Sequence, residues 1–392
     1  MVSTTQSRPA PRSFAARLNL GSLLRAESST FYLIFGTTLF LVGIGLVMVL
    51  SASSVDSYLA EEGFYGRFLK QLTFAVLGIP VMLIASRLPL VFYKKWAVVF
   101  LVGSAIIQLL VFTPLGYETG GNRNWIRIGT FNAQPSELLK LALALWLGVA
   151  LPKSMQRNGT HWKVLTPLVT AAGVMGLVML GGDLGTVIIL SMVVIGCLIF
   201  AGISWKNILV PIAGGAVIFL LFAIVSPNRV ARITTFFGTA CTTDTNWCWQ
   251  PLHGTWAMAN GSIFGVGLGL SKAKWSWLPA ADNDYIFAII GEELGMIGCI
   301  VVLALLVILA VGFLRVIRNA TDPLIRIATG GIMFWLIGQA FMNIAVVLGV
   351  IPVLGVPLPF ISSGGTALFM ALAAVGVVLS FARHNERSKE IR

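Results

Sequence analysis

Four carboxylates crowd the stretch Trp275 to Gly295, WSWLPAADNDYIFAIIGEELG: Asp282 and Asp284 in a short polar segment, Glu292 and Glu293 on the apolar helix expected to follow. An acid held at the edge of a bilayer is costly, so it points to proton transfer or to binding of a charged substrate. A second polar stretch, GYETGGNRNWIRIGTFNAQPSELLKLALALW, gathers Arg123, Trp125, Arg127, Glu137 and Lys140. Glu137 and Lys140 are three apart and share a helix face. Three cations beside an indole suit a phosphate-bearing head group, although Trp and Arg also serve simply as interfacial anchors. Asp183, in GGDLGT, can cap the next helix or meet substrate. Ser363 lies in the Pro-bounded segment PLPFISSGGT, which opens the last helix. Its free N–H groups could hold an anion, or the segment is a rigid turn.

These residues are carried by membrane helices. Hydrophobic residues make up 57% of the 392, and charged residues 11%; a soluble domain has roughly 25% charged. Apolar runs near the length of a bilayer crossing recur near residues 31–51, 70–86, 96–114, 135–151, 164–181, 184–202, 207–226, 285–314, 327–350 and 364–382. The expected fold is therefore an all-α polytopic membrane protein with about ten transmembrane helices and a large extracytoplasmic loop, about 227–284, between helices 7 and 8. One membrane domain spans 30–383. It is preceded by a disordered basic tail over 1–29, without a cleavable signal, and followed by a short tail over 384–392.

The basic residues orient it. With the amino terminus inside, 18 of the 27 Lys and Arg fall on cytoplasmic segments, which places both termini in the cytoplasm and the acids of the opening stretch outside. The net charge of +12 is then a topology signal and an attraction to anionic membrane lipids. It is spread over many short loops, which argues against nucleic acid as a partner.

Cys197 and Cys299 lie in apolar helices and read as packing residues. Cys241 and Cys248 share the outer loop, where an oxidising compartment permits a disulfide. Neither the cysteines nor His161, His253 and His384 have a zinc spacing. A divalent cation held by carboxylates and phosphate stays open.

The motifs GLVMVLSASS, GGNRNWIRIG with QPSELLKL, GGDLGT, FGVGLG, DNDYIFAIIGEELG and PLPFISSGGTAL occur in one order across nearly the whole membrane region. In this the chain resembles the SEDS family, the shape, elongation, division and sporulation proteins. The basic tail and the GGNRNW loop are most similar to the division branch of high-GC Gram-positive bacteria. The elongation branch is a close relative.

The resemblance implies a peptidoglycan glycosyltransferase at the division septum of the bacterial plasma membrane. Its substrates would be lipid II and the nascent glycan strand, joined into β-1,4 chains. Its partner would be a class B penicillin-binding protein of the FtsI type, with other division proteins. The family's essential acid falls on Asp284. An α-linked donor and a β-linked product imply one inverting displacement, with Asp284 as general base. Asp282 and Glu292 or Glu293 would support its basicity through like charge. Arg123, Arg127, Lys140, Arg229 and Arg232, or a bound Mg²⁺ or Mn²⁺, would face the pyrophosphate leaving group.

The sequence departs from the family pattern at four places. Pro279-Ala280-Ala281-Asp282 lacks a usual Glu, Asn124 stands where Arg commonly precedes Trp125, Ser363 replaces a common Tyr, and Gly181-Gly182 precedes Asp183. The rival class is a lipid II flippase or other carrier, whose acid would lie near the bilayer midplane. A third reading is a non-catalytic scaffold.

Overall fold

A computed structural model describes residues 27–61, 63–119, 121–129, 131–156, 165–204 and 246–390, with a few isolated positions between 204 and 246. The expected amino-terminal tail, the span at 207–226, and Arg229, Arg232 and Cys241 lie outside the described residues. Nine apolar helices are found among the described ones. Seven are long and apolar enough to cross a membrane, and two, near residues 166–180 and 184–200, are shorter. The chain is an all-α polytopic membrane protein in its bulk.

The helices begin where the sequence supplies caps. Helix α1 (Ser29–Leu59) starts at Ser28, whose Oγ accepts from Phe31 N at 3.2 Å. Helices α2 (Gly66–Arg87) and α3 (Leu90–Leu109) follow, then α4 (Pro135–Gln156), which opens on a proline where no N–H is needed. Helices α5 (Leu165–Leu180) and α6 (Leu184–Phe200) meet at a tight turn capped by Asp183. Beyond the undescribed region come α7 (Asn246–Gly261), α8 (Ile286–Arg318), α9 (Pro323–Val347) and α10 (Gly365–Glu390). Asp322 caps α9, with Pro323 at its first position. In the bundle α10 packs chiefly on α2, α9 on α6 and α4, and α8 on α1 and α9.

The structure corrects four expectations. Residues 116–133 are not merely loop: they form a three-stranded antiparallel sheet of β1 (Gly116–Thr119), β2 (Asn122–Ile128) and β3 (Phe131–Ala133). The alternation in NRNWIRI drives this, burying Asn124 and Ile126 while Arg123 and Arg127 face out. The large loop carries a helix, α7. Helix α10 runs on to Glu390, through residues expected to be tail. Finally, α8 is broken at Gly295, which has φ 68° and ψ −166°.

That break would leave four backbone groups unsatisfied within a membrane helix, at several kcal/mol each. The segment after α7 satisfies them. Val266 N and Gly267 N donate to Glu292 O and Glu293 O at 2.9 and 3.0 Å. Met296 N and Ile297 N donate to Ser262 O and Ile263 O at 3.0 and 3.4 Å. A Cβ on Gly295 would come within 2.4 Å of Gly265 N and Ile263 O, so only glycine permits the crossing.

Candidate functional site at one end of the bundle

Polar side chains converge at the end of the bundle that holds the sheet, and their centre is the segment Asp282-Asn283-Asp284. Its backbone is held from two elements at once. On α9, Asn343 donates through Nδ2 to both Asp284 O and Val356 O, at 2.8 Å each. From the Pro-bounded segment between α9 and α10, Ser362 Oγ donates to Asn283 O at 2.7 Å and accepts from Leu358 N at 2.7 Å. Ser363 N donates to Asp282 O at 2.8 Å. The Asp284 carboxylate is half-buried beside Gly355, where a Cβ would lie 3.7 Å from Oδ2. Ala280 and Phe360 adopt left-handed φ values of 52° and 67°. Such strain persists only where the surroundings over-determine it.

Asp282 is buried and makes an ion pair with Arg67 of α2 at 2.9 Å; Arg67 also lies 3.5 Å from Asp56. Gln71, one turn further along α2, donates to Ser362 O at 2.9 Å and accepts from Gly364 N at 3.1 Å. Thus α2 buttresses both the acidic segment and the Pro-bounded one. Gly45 on α1 allows the latter in closely, since a Cβ there would lie 2.4 Å from Phe360 O.

The single cationic cleft expected from Arg123, Trp125, Arg127, Glu137 and Lys140 is divided between two places. Glu137 and Lys140 are both 2% exposed and pair at 2.7 Å inside the bundle. Lys140 Nζ also donates to Gln339 Oε1 at 3.2 Å and sits 5.0 Å over the Trp335 ring. Gln339 Nε2 in turn donates to Pro357 O at 2.8 Å. Lys140 is therefore already neutralised, and its pair supports the Pro-bounded segment from below. Glu137 lines a small cavity that Gln339 and Ser362 also border. Burial explains the difference: a lone ammonium there would cost several kcal/mol, so it is found with its counter-ion.

Arg123, Trp125 and Arg127 stay on the sheet. Arg123 is exposed, and its guanidinium donates to Thr113 O at 3.1 Å. Arg127 is exposed and stacks 4.6 Å over the Tyr117 ring, which lies 6.5 Å from that of Trp125. The sheet is anchored by Arg123 N donating to Gly181 O at 2.8 Å. Asp183, beside it, caps α6 by accepting from Thr186 N at 2.9 Å and also accepts from Gln134 Nε2 at 3.1 Å. Its carboxylate holds the turn together.

Glu292 and Glu293 are buried on the short half-helix before Gly295, and each is occupied. Glu293 accepts from Ser51 Oγ at 2.7 Å and pairs with buried Lys274 at 3.3 Å. Glu292 accepts from Asn260 Nδ2, Ser271 Oγ and the Lys272 and Ala273 amides. They fasten the loop after α7 to α8. With Lys274 beside it, Glu293 is not an uncompensated like charge for Asp284.

Cys248 is disulfide-bonded, and Cys197 and Cys299 are free and buried. Among the described residues, no group of three or more His, Cys, Asp and Glu is placed to hold a metal ion. Sequence reasoning missed Arg67, Gln71, Gln339, Asn343 and Ser362. The signal was available, because an amide inside an apolar helix must find a partner. The identity of that partner was not.

A multi-pass helical bundle with a clamped acid on a polar end is the architecture of a membrane enzyme or carrier acting at the bilayer surface. The comparisons narrow it. The profile of the FtsW, RodA and SpoVE family, described as "Cell cycle protein", matches residues 31–387, and the chain belongs to that family. A probable peptidoglycan glycosyltransferase FtsW of Mycobacterium tuberculosis is 34% identical over 376 residues, covering 95% of this chain and 72% of the relative. The corresponding protein of Geobacter metallireducens is 36% identical over 372 residues, covering 93% and 96%. Two solved structures share the fold. A chain from a peptidoglycan synthase complex gives a TM-score of 0.72 at 23% identity, covering 90% of this chain and 97% of that one. RodA of Thermus thermophilus gives 0.68 at 22%, covering 93% and 99%.

Proposed function

We propose that this chain, a peptidoglycan glycosyltransferase, polymerises lipid II into β-1,4 glycan strands by one inverting displacement with Asp284 as general base. Asp284 takes the proton of the acceptor 4-hydroxyl as that oxygen attacks the donor's anomeric carbon. The bond from that carbon to the pyrophosphate oxygen breaks, and lipid pyrophosphate leaves. The observation that carries this reading is the clamp on Asp284, whose main chain is fixed by Asn343 and whose neighbour Asn283 is fixed by Ser362. A base must be held within hydrogen-bond reach of the proton it removes, and such positioning is a large part of a catalytic barrier.

Arg123 and Arg127, exposed on the sheet, are among the described cations that can approach the leaving group's charge. A divalent cation would come bound to the pyrophosphate, in the manner of Mg²⁺; no step here depends on it. The distribution of basic residues supports an extracytoplasmic site. The names of the relatives support action in division, at the septum. The synthase-complex neighbour supports a class B penicillin-binding protein of the FtsI type as partner.

The test uses full-length protein in lipid nanodiscs with its partner transpeptidase and lipid II. Wild type makes glycan strands and Asp284→Asn does not; strands from the variant at the wild-type rate would sink the assignment. The helix break at Gly295 also suits a carrier. Lipid II crossing the bilayer without any polymerisation would favour that second reading.

A further inference from the structure

The region that the proposed chemistry leaves unused is an aromatic ledge built by α7 and the segment just before Asp282. Trp249 and Trp277 lie within 11° of parallel, with ring centroids 6.1 Å apart. Buried His253 stacks on Trp249 at 4.1 Å and lies 5.9 Å from Trp277. Trp256 meets His253 edge-on at 4.9 Å. The tryptophans are nonetheless open: Trp249 is 39%, Trp256 56% and Trp277 55% exposed.

Two features distinguish this from scattered surface aromatics. The rings are locked, because Trp249 Nε1 donates to Trp277 O at 2.7 Å and His253 Nδ1 is 2.8 Å from Trp249 O. The ledge is continuous with the clamped acids, because Gln250 Nε2 donates to Pro279 O at 3.0 Å and the Tyr285 ring lies against Gly254.

We infer that this ledge is a carbohydrate subsite that holds an aminosugar strand beside the reaction centre. A pyranose ring has one face of C–H bonds and an equatorial belt of hydroxyl and amide groups. Flat indoles, with the Trp249 N–H already bonded to Trp277 O, match the C–H face. The inference deepens the polymerase reading by naming where the growing sugar chain rests.

The experiment separates the two. Full-length protein in nanodiscs is titrated with a soluble N-acetylglucosamine tetramer, with no lipid II present, and binding is followed by saturation-transfer NMR. Wild type binds, and Trp249→Ala/Trp277→Ala binds about tenfold more weakly. Trp249→Phe/Trp277→Phe retains most of the affinity. In the lipid II assay the double alanine variant still starts strands but makes shorter ones. Failure of the polymerase reading leaves the tetramer result intact. Three outcomes overturn the subsite: equal tetramer binding by wild type and the alanine variant, indole fluorescence at 249 and 277 quenched by lipids brominated in their acyl chains, or unchanged strand length with lost capture of the transpeptidase. The second would make the ledge a membrane anchor and the third a protein interface.

Discussion

Asp282 and Asp284 are two residues apart and have different surroundings. Asp282 is buried against Arg67, whereas Asp284 is half-buried beside Gly355 with its carbonyl pinned by Asn343. A base is served by the second environment and a structural anchor by the first. Asp284→Asn is therefore expected to lower kcat about 10²–10⁴-fold, with the melting temperature unchanged; steady-state kinetics and a thermal melt check both. Lys140 behaves in the opposite way. Removing its ammonium strands Glu137 inside the bundle, so Lys140→Met is expected to cost about 3–5 kcal/mol of stability. Thermal unfolding measures this, and Glu137→Gln added to Lys140→Met should restore part of it.

The elements that matter are those that break the regular pattern. Helix α8 stops at Gly295 so that the loop after α7 can cross it, and Glu292 and Glu293 fasten that loop in place. Gly295→Ala meets a backbone clash and a left-handed φ, which alone costs about 1–3 kcal/mol. The expected result is a lower melting temperature with new protease cleavage between residues 262 and 275. Helix α9 acts through its amides. Asn343→Ala releases both Asp284 O and Val356 O, and a small displacement of the base is expected to cost about 100-fold in kcat with KM nearly unchanged. A kcat within a factor of two of wild type would show that the clamp is dispensable.

At the scale of the whole molecule, the two ends differ in chemistry. The sheet, the GGD turn, the acids and the Pro-bounded segment share one end. At the other, Arg383 pairs with Glu27 at 2.8 Å and Lys94 pairs with Asp322. This polarity predicts opposite labelling by a membrane-impermeant maleimide. Ser276→Cys should react from outside intact cells and Lys389→Cys only after lysis; both positions are exposed, whereas Asp282 is too buried to report. Labelling of position 276 only after lysis would invert the proposed orientation.

The sequence by itself determined the class of protein, because a bilayer demands long apolar runs and spares few charges. It also placed most of the described helices approximately, through their apolar runs and, at Asp183, through a capping residue. It pointed to Asp284, the proposed base, through a motif contiguous in the chain. It did not reveal the sheet, whose four- and three-residue outer strands are too short to show a period, or the break at Gly295, which exists only because a distant loop supplies four hydrogen bonds. Nor did it separate Lys140 from Arg123 and Arg127. All three are cations in one polar stretch, and only packing decided that one is buried against Glu137 while two face out. Arg67, Gln71, Gln339 and Asn343 reach the site across long separations in the chain. Their roles are tertiary because a buried donor takes whichever acceptor the fold brings within reach.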